Sequence, residues 1–253
     1  LEKLYNSNKP LIIYKVKNGY NLYTDFSKRI VLNMKNIDSF FKNLNNKKFN
    51  KETDLFIGFF GYEILCNILG IKLKNQKKTG FYKGVFYKPE TVIKIRKDIS
   101  INSSNKNTQF SKVFNQTKIL SPFKLNINYS KYKKIFSFFS KKIQQGETYQ
   151  IKICTKYKNK SNINPVNFFW KLMKINSSPE SFMMRDKDFS IVSCSPETLI
   201  YKKGQKIITK PIAGTLRKNS SIDKSKALKF FRNNNKETKE HNMIVDMERN
   251  DLS

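Results

Sequence analysis

The sequence predicts a protein of mixed β-strands and α-helices, and three observations support this class. Two apolar segments, 11–14 and 20–23, are separated by Asn18-Gly19, a dipeptide that favours a tight hairpin turn. Segment 37–44 spaces its apolar residues three and four positions apart, as an amphipathic helix does. Segment 147–157 alternates apolar and polar residues, which is typical of a strand with one buried face.

The next elements in the chain are strands and a loop. The apolar segment 54–60 predicts a strand that runs into a turn with Gly58 and Gly61. These glycines fit neither common phosphate-loop pattern, and no Lys-Ser/Thr pair follows, so we interpret them as sites of close backbone packing. Residues 91–95 predict a further strand, and residues 100–107, dense in Ser and Asn, predict a surface loop.

That loop is the candidate domain boundary, and it divides the chain into regions 1–112 and 113–253. The second region opens with a helix that begins near Asn128 and has Gly146 as its C-terminal cap. Asn164-Pro165 predicts the start of another helix, whose stripe of Phe168, Phe169, Leu172 and Met173 is expected in the core. The remaining predicted elements are strands at 178–184, 189–200 and 206–209, and helices at 222–232 and 236–250.

The composition is strongly basic, with 50 Lys and Arg against 19 Asp and Glu in 253 residues and a net charge of +31. Such a charge is compatible with a polyanion partner. Lysine is, however, spread over almost every segment together with abundant Asn and Ile, whereas a nucleic-acid interface concentrates its basic residues on one element. We therefore favour a compositional bias, with a nucleic-acid-binding protein as an alternative.

Cysteine usage and apolar runs indicate the compartment. Cys66, Cys154 and Cys194 lie far apart without metal-site spacing, and their odd number argues against a disulfide framework. No apolar run has the length of a membrane span, and no signal peptide is recognisable at the first residues. We expect a cytoplasmic protein without a membrane partner.

Because the chain starts at Leu1 and stops at Ser253 directly after a helical motif, we also expect it to be a fragment.

Two segments near the end of the chain carry the strongest functional signal. The first is Lys210-Pro211-Ile212-Ala213-Gly214-Thr215, and the second, from Glu237 to Asp251, reads Glu-Thr-Lys-Glu-His-Asn-Met-Ile-Val-Asp-Met-Glu-Arg-Asn-Asp. They resemble the Pro-Ile-Ala-Gly-Thr loop and the Glu-His-x-Met-x-Val-Asp-x-x-Arg-Asn-Asp helix of the chorismate-utilising enzymes, most closely anthranilate synthase component I.

The resemblance implies a fold, a reaction and partners. The fold is α+β, with large antiparallel β-sheets packed as a sandwich and flanked by helices, of which this chain would hold only part. The reaction converts chorismate and ammonia to anthranilate and pyruvate, and the ammonia comes from a glutamine amidotransferase subunit. No nucleic acid is implied as a partner. Since part of the family's site lies beyond this chain, we expect the fragment alone to be inactive.

The chemistry of chorismate indicates which residue types are needed. Chorismate carries two carboxylates and a hydroxyl leaving group, so its enzymes need a divalent cation and an acid for the departing oxygen. Mg²⁺ prefers carboxylate oxygens. By resemblance, Glu240 is the Mg²⁺ ligand and Glu237 supports it through water, while Glu197 of Ser195-Pro196-Glu197 aligns with the general acid. Without the resemblance, all three are ordinary surface carboxylates.

Two further sites are assigned by resemblance. Relatives that add water to chorismate carry a lysine base at the position of Gln150, and a glutamine, which cannot take a proton at neutral pH, suits ammonia instead. The alternative for Gln150 is an ordinary polar strand residue. Ala213, Gly214 and Thr215 are expected to contact the substrate, glycine through close backbone approach and threonine through its hydroxyl. After Thr215 the chain departs from the arginines and glycine that the family usually has.

Ala213 distinguishes two aminating enzymes. Many aminodeoxychorismate synthases carry at this position a lysine that attacks ring carbon 2, and alanine offers no nucleophile. The residue therefore favours anthranilate synthase component I, and aminodeoxychorismate synthase component I is the alternative.

Overall fold

A computed structural model describes residues 1–45, 50–71, 80–103, 118–217 and 222–252. The chain divides into two compact units, one of residues 1–112 with 165–253 and the other of residues 113–164. The sequence-based division into 1–112 and 113–253 stays a prediction. In chain order the elements are α1 (Glu2–Asn6), β1 (Leu11–Val16), β2 (Gly19–Val31), α2 (Ile37–Asn45), β3 (Ile57–Phe60), α3 (Tyr62–Ile68), β4 (Gly84–Ile95), β5 (Ile99–Ser103), β6 (Lys118–Ile119), β7 (Lys124–Leu125), α4 (Tyr129–Gln144), β8 (Tyr157–Lys158), β9 (Ser161–Asn162), α5 (Pro165–Ile175), β10 (Glu180–Arg185), β11 (Ser190–Ser195), β12 (Thr198–Lys203), β13 (Lys206–Lys210), α6 (Lys224–Asn233) and α7 (Asn235–Leu252).

The first unit is built on a seven-stranded antiparallel sheet in the order β11-β10-β1-β2-β4-β3, with β5 also paired to β4. The α+β class is thus confirmed. The predicted hairpin is confirmed as β1 and β2, but Val16 pairs with Gly19, so the turn residues are Lys17 and Asn18. Gly19 has φ +143, and a Cβ there would lie 2.0 Å from the carbonyl oxygen of Ile95. Glycine is therefore required where β2 leaves the turn beside β4.

Alternation along β1 divides the core between the two faces of the sheet. Leu11 and Ile13 pack with Phe169 of α5 on one face, whereas Ile12 packs with Tyr23 on the other. This follows from the period of two, which turns successive side chains to opposite faces. The predicted core stripe of α5 is confirmed at Phe169 and Met173, which are buried, and Leu172 packs against the same cluster, but Phe168 is 44% exposed.

Gly58 shows why the glycines after the third apolar segment are structural. A Cβ at Gly58 would lie 1.9 Å from the carbonyl oxygen of Val85 on the paired strand β4. A Cβ at Gly61 would lie 2.8 Å from the carbonyl oxygen of Lys83. The predicted close backbone packing is confirmed. The strand itself is β3, which begins at Ile57 rather than at Asp54.

Three predicted elements differ from the structure. The strand predicted at 189–200 is two strands, β11 and β12, which are interrupted at Pro196 and Glu197. Residues 100–103 belong to β5, which pairs with β4, and are not loop; residues 104–107 lie outside the described part. Of the predicted strand 147–157, only Tyr157 is in a strand, because a strand is stable only with a ladder partner and residues 147–155 have no such partner among the described residues.

The second unit contains α4 and two short ladders, β6 with β9 and β7 with β8. Asn128 caps α4 by accepting a hydrogen bond from the backbone N–H of Lys131, and Gly146, with φ +74, follows its end as predicted. Among the described helices of the chain, none combines the length and the apolar character of a membrane span.

Candidate active site

The loop after β13 lies against the start of α7. β13 ends at Lys210, and residues 211–217 have no regular structure. Gly214 has φ +75, and a Cβ built on it would lie 2.5 Å from Oε2 of Glu237 and 2.8 Å from Cε1 of Phe231. The absence of a side chain therefore lets the loop backbone approach the Glu237 carboxylate closely, whereas the predicted approach of Gly214 to the substrate stays a prediction.

The junction of α6 and α7 fixes the position of Glu237. Asn234, between the two helices, accepts a hydrogen bond on Oδ1 from the backbone N–H of Glu237 at 3.3 Å. The hydroxyl of Thr238 donates to the carbonyl oxygen of Phe231 at 3.0 Å. An asparagine before a helix satisfies a backbone N–H of the first turn, so these residues join the end of α6 to the beginning of α7.

A cavity of about 370 Å³ lies between the loop and the two helices. Two predicted site residues, Ala213 and Glu237, line this cavity, and Gly214 lies beside Glu237. Thr215 is exposed and Glu240 half-buried, and neither is among the described lining residues. The lining also contains residues to which the sequence analysis gave no role: Phe231, Arg232, Thr238, His241 and Asn242. Thr238, His241 and Asn242 lie within the 237–251 segment that carries the family motif, whereas nothing in the sequence signals Phe231 and Arg232, whose position depends on how α6 packs.

Glu237 and Glu240 are the two carboxylates that the resemblance predicts for Mg²⁺. They lie three residues apart on α7, a spacing that turns both toward one side of a helix, and both are half-buried. The described residues contain no group of three or more His, Cys, Asp or Glu side chains arranged to hold a metal. Glu237 lines the cavity and Glu240 lies one turn further along the same helix, and this donor set is compatible with Mg²⁺, which is usually bound by one or two carboxylates and keeps several waters.

Glu197 lies at a different cavity. It follows Pro196 in the break between β11 and β12, is exposed, and donates its backbone N–H to Oγ of Ser195 at 3.4 Å. It lines a mainly apolar cavity of about 540 Å³ together with Tyr14, Glu180 and Thr198. The structure therefore does not place Glu197 in the cavity that contains Glu237.

Glu180 in this second cavity was missed by the sequence analysis. Its Oε2 accepts a hydrogen bond from the hydroxyl of Tyr14 at 2.5 Å, and its Oε1 accepts one from Thr198 Oγ1 at 2.6 Å. Burial raises the pKa of Tyr14, and the hydrogen bond to Glu180 raises that pKa further. A signal was present, because strand alternation puts Glu180 on the same face as the apolar Phe182 and Met184.

Gln150 belongs to the second unit. It is exposed in a segment without regular structure, where its carbonyl oxygen accepts a hydrogen bond from the hydroxyl of Thr148 at 3.2 Å. The strand that was expected to present Gln150 is therefore not formed.

Comparison with known families gives the geometry its context. Residues 5–253 match the model of a family described as chorismate binding enzyme, which is nearly the whole chain. The chain belongs to the chorismate-binding enzyme family. The matched range of this chorismate-binding family member includes both cavities and the segment around Gln150.

The relatives of this family member include proteins named as two different enzymes. Anthranilate synthase component 1 of Buchnera aphidicola subsp. Rhopalosiphum maidis is 30% identical over 99% of this chain and 55% of that protein. Aminodeoxychorismate synthase component 1 of Bacillus subtilis (strain 168) is 35% identical over 44% of this chain and 24% of that protein. The chain spans about half the length of the curated relatives that match most of it, 48% and 55% in two examples.

A solved structure shares the fold. The crystal structure of anthranilate synthase component I from Streptococcus pneumoniae TIGR4 matches with a TM-score of 0.68 and 20% identity, over 97% of this chain and 60% of that one. At this identity the likeness concerns the fold, and it agrees with the antiparallel sheet and helices described above.

Proposed function

We propose that this chain forms part of an anthranilate synthase component I, which converts chorismate and ammonia to anthranilate and pyruvate. The observation that carries the proposal is the meeting of Ala213 and Glu237 in one cavity, with Gly214 against the Glu237 carboxylate. The 211–215 loop has no nucleophilic side chain at Ala213, and it faces α7. The carboxylates of α7 would hold Mg²⁺, which in turn would bind an anionic substrate.

Glu240 and Glu237 would hold Mg²⁺ in this enzyme. The bound cation would supply the positive charge that attracts a carboxylate of chorismate and stabilises charge on the reacting molecule. The Gly214 backbone and the Thr215 hydroxyl would position the substrate beside α7.

The proton transfers use other residues. Although Glu197 lines the other cavity, we assign to it the donation of a proton to the ring hydroxyl, which leaves as water when the lone pair of ammonia forms a bond to ring carbon 2. The ammonium group formed at carbon 2 returns one proton to the Glu197 carboxylate. Loss of the remaining proton from carbon 2 then restores the aromatic ring as the enolpyruvyl group leaves as enolpyruvate, which takes up a proton on its methylene carbon to give pyruvate. Gln150, which cannot accept a proton at neutral pH, suits ammonia rather than water as the nucleophile. A glutamine amidotransferase subunit supplies the ammonia.

The alternative is aminodeoxychorismate synthase component I, which the Bacillus subtilis relative supports over 44% of the chain. Ala213 opposes this alternative, because a lysine that attacks carbon 2 cannot be replaced by alanine in a covalent route.

Product analysis tests the proposal. The full-length protein that carries this chain is incubated with chorismate, Mg²⁺ and ammonium, and the products are separated by chromatography. We expect anthranilate and pyruvate, and no turnover when Mg²⁺ is chelated. Accumulation of 4-amino-4-deoxychorismate without anthranilate would reject the assignment in favour of the alternative.

A further inference from the structure

The hairpin of β12 and β13 is flanked at its base by predicted site residues, yet in the described part of the chain it shares no backbone ladder with the seven-stranded sheet. It forms a two-stranded sheet of its own. Glu197 precedes its first strand directly, and the 211–215 loop follows its second strand directly. The position of both relative to the large sheet therefore depends on contacts at the base of the hairpin.

Glu180 supplies such a contact. It lies on β10 in register with Ser195, the last residue of β11 before the chain leaves the large sheet. One carboxylate oxygen accepts the Thr198 hydroxyl at 2.6 Å, at the first residue of the hairpin, and the other accepts the Tyr14 hydroxyl from β1 at 2.5 Å. Glu180 thus joins two strands of the large sheet to the start of β12.

The same contact reaches the substrate loop through the hairpin. Thr198 pairs across the hairpin with Lys210, the last residue before Pro211. Thr198 directly follows Glu197 in the chain, and it pairs with the residue that precedes the 211–215 loop. A contact that holds Thr198 in place therefore restrains both Glu197 and that loop.

The hydrogen bonds of Glu180 to Tyr14 and Thr198 are stronger than bonds between neutral groups. Hydroxyl-to-carboxylate hydrogen bonds of this length are charge-assisted and about twice as strong as neutral ones. Glu180 is half-buried, and its cavity is lined mainly by apolar side chains such as Ile12 and Phe182, so water competes little for its oxygens.

We propose that Glu180 is a positioning residue that fixes Glu197 and the 211–215 loop relative to the seven-stranded sheet. The catalytic part of this inference rests on the proposed function, in which Glu197 is the general acid. Glu180 contacts neither substrate nor metal in this role and acts through Thr198.

Two substitutions separate positioning from a direct charge effect in the full-length enzyme. Glu180→Leu removes both bonds, and since small misplacements of catalytic groups are costly, we expect kcat to fall by about 10- to 100-fold. Glu180→Gln keeps an amide oxygen that accepts from one hydroxyl and gains an N–H that donates to the oxygen of the other hydroxyl. This variant should therefore retain most of the wild-type kcat. If glutamine is as damaging as leucine, the carboxylate charge itself is needed and the proposal is wrong.

A double-mutant cycle shows whether Glu180 acts through Glu197. In a Glu197→Gln background, the general acid is already lost, so Glu180→Leu should lower the residual kcat by much less than it does in the wild type. A general structural defect would lower kcat by the same factor in both backgrounds, and that result would also overturn the proposal.

The two hydrogen bonds of Glu180, to Tyr14 and to Thr198, are here called the clamp. Hydrogen exchange of the chain 1–253 tests this clamp without a measurement of activity. Glu180→Leu and the milder Thr198→Val should speed amide exchange in residues 198–215 relative to wild type, while Glu2→Gln, at an exposed helix position, should not. Unchanged exchange in both variants would reject the clamp. If the wild-type enzyme forms no anthranilate but exchange responds as expected, the proposed function fails while the clamp stands.

Discussion

Oε2 of Glu237 lies only 2.5 Å from the point where a Cβ of Gly214 would stand. The loop after β13 and the first turn of α7 are therefore in direct contact, and the contact depends on the missing side chain. Phe231 lies on the same side, 2.8 Å from that point, and limits any sideways escape of a new methyl group.

Gly214→Ala should move the Glu237 carboxylate and raise the Mg²⁺ concentration needed for half-maximal activity of the full-length enzyme. The positive φ adds a strain of about 1 kcal/mol or more. Gly204→Ala is the matched control, because Gly204 also has positive φ, +58, but nothing lies within 4 Å of its built Cβ. Equal Mg²⁺ requirements in the two variants would contradict the importance of the Gly214 contact.

Glu240→Ala should abolish chorismate turnover in the full-length enzyme, because it removes the predicted Mg²⁺ ligand. The measurement is initial rate against Mg²⁺ concentration, accompanied by circular dichroism to show that the fold is intact. Glu248→Ala, a little more than two turns further along the same helix α7, controls for loss of a helix carboxylate. Near-normal activity of Glu240→Ala would show that the role assigned to this residue is wrong.

Asp186→Asn should destabilise the chain at neutral pH but not in acid. Asp186 accepts hydrogen bonds from Arg29 at 2.6 Å and from Tyr87, and although burial raises the pKa of Asp186, these bonds outweigh it and lower that pKa. A lowered pKa means that the stabilisation is complete above the ordinary value of about 3.9 and is lost as pH falls through the lower folded value.

The expected loss at pH 7 is about 3 kcal/mol, because one partner of a largely buried pair is removed. Urea unfolding followed by fluorescence of Trp170 measures it between pH 7 and 2.5. Asp188→Asn, at a half-exposed carboxylate 4.0 Å from Arg29, should cost less than about 1 kcal/mol. A difference between Asp186→Asn and wild type that does not shrink in acid would contradict this account.

Binding to random DNA should be weak and should vanish as salt rises from about 50 to 200 mM, because scattered charges contact few phosphates at once. The exposed lysines lie on elements of both units, for example Lys134 of α4, Lys202 of β12 and Lys229 of α6. Fluorescence anisotropy with a labelled random duplex measures the salt dependence. Sequence-selective binding that survives 200 mM salt would favour the nucleic-acid-binding alternative.

The sequence by itself determined the elements whose signals are local. The hairpin of β1 and β2 and the helices α2, α4, α5, α6 and α7 follow from turn residues, caps and apolar spacing within a few residues, so they are predictable without tertiary contacts. The loop motif and the helix motif near the end likewise identified the family before any geometry was known.

Tertiary structure decided which residues meet. Segment 147–157 has the alternation of a strand, but alternation cannot supply the neighbouring strand that its hydrogen bonds require, so Gln150 lies in irregular structure. The contact of Gly214 with Glu237 depends on the packing of α6 and α7, and the bonds of Glu180 to Tyr14 and Thr198 join residues that are 166 and 18 positions away in the chain. Such contacts cannot be predicted from the periodicity of the sequence, because periodicity shows which face of an element is buried and not which partner buries it. They form only when distant segments fold together.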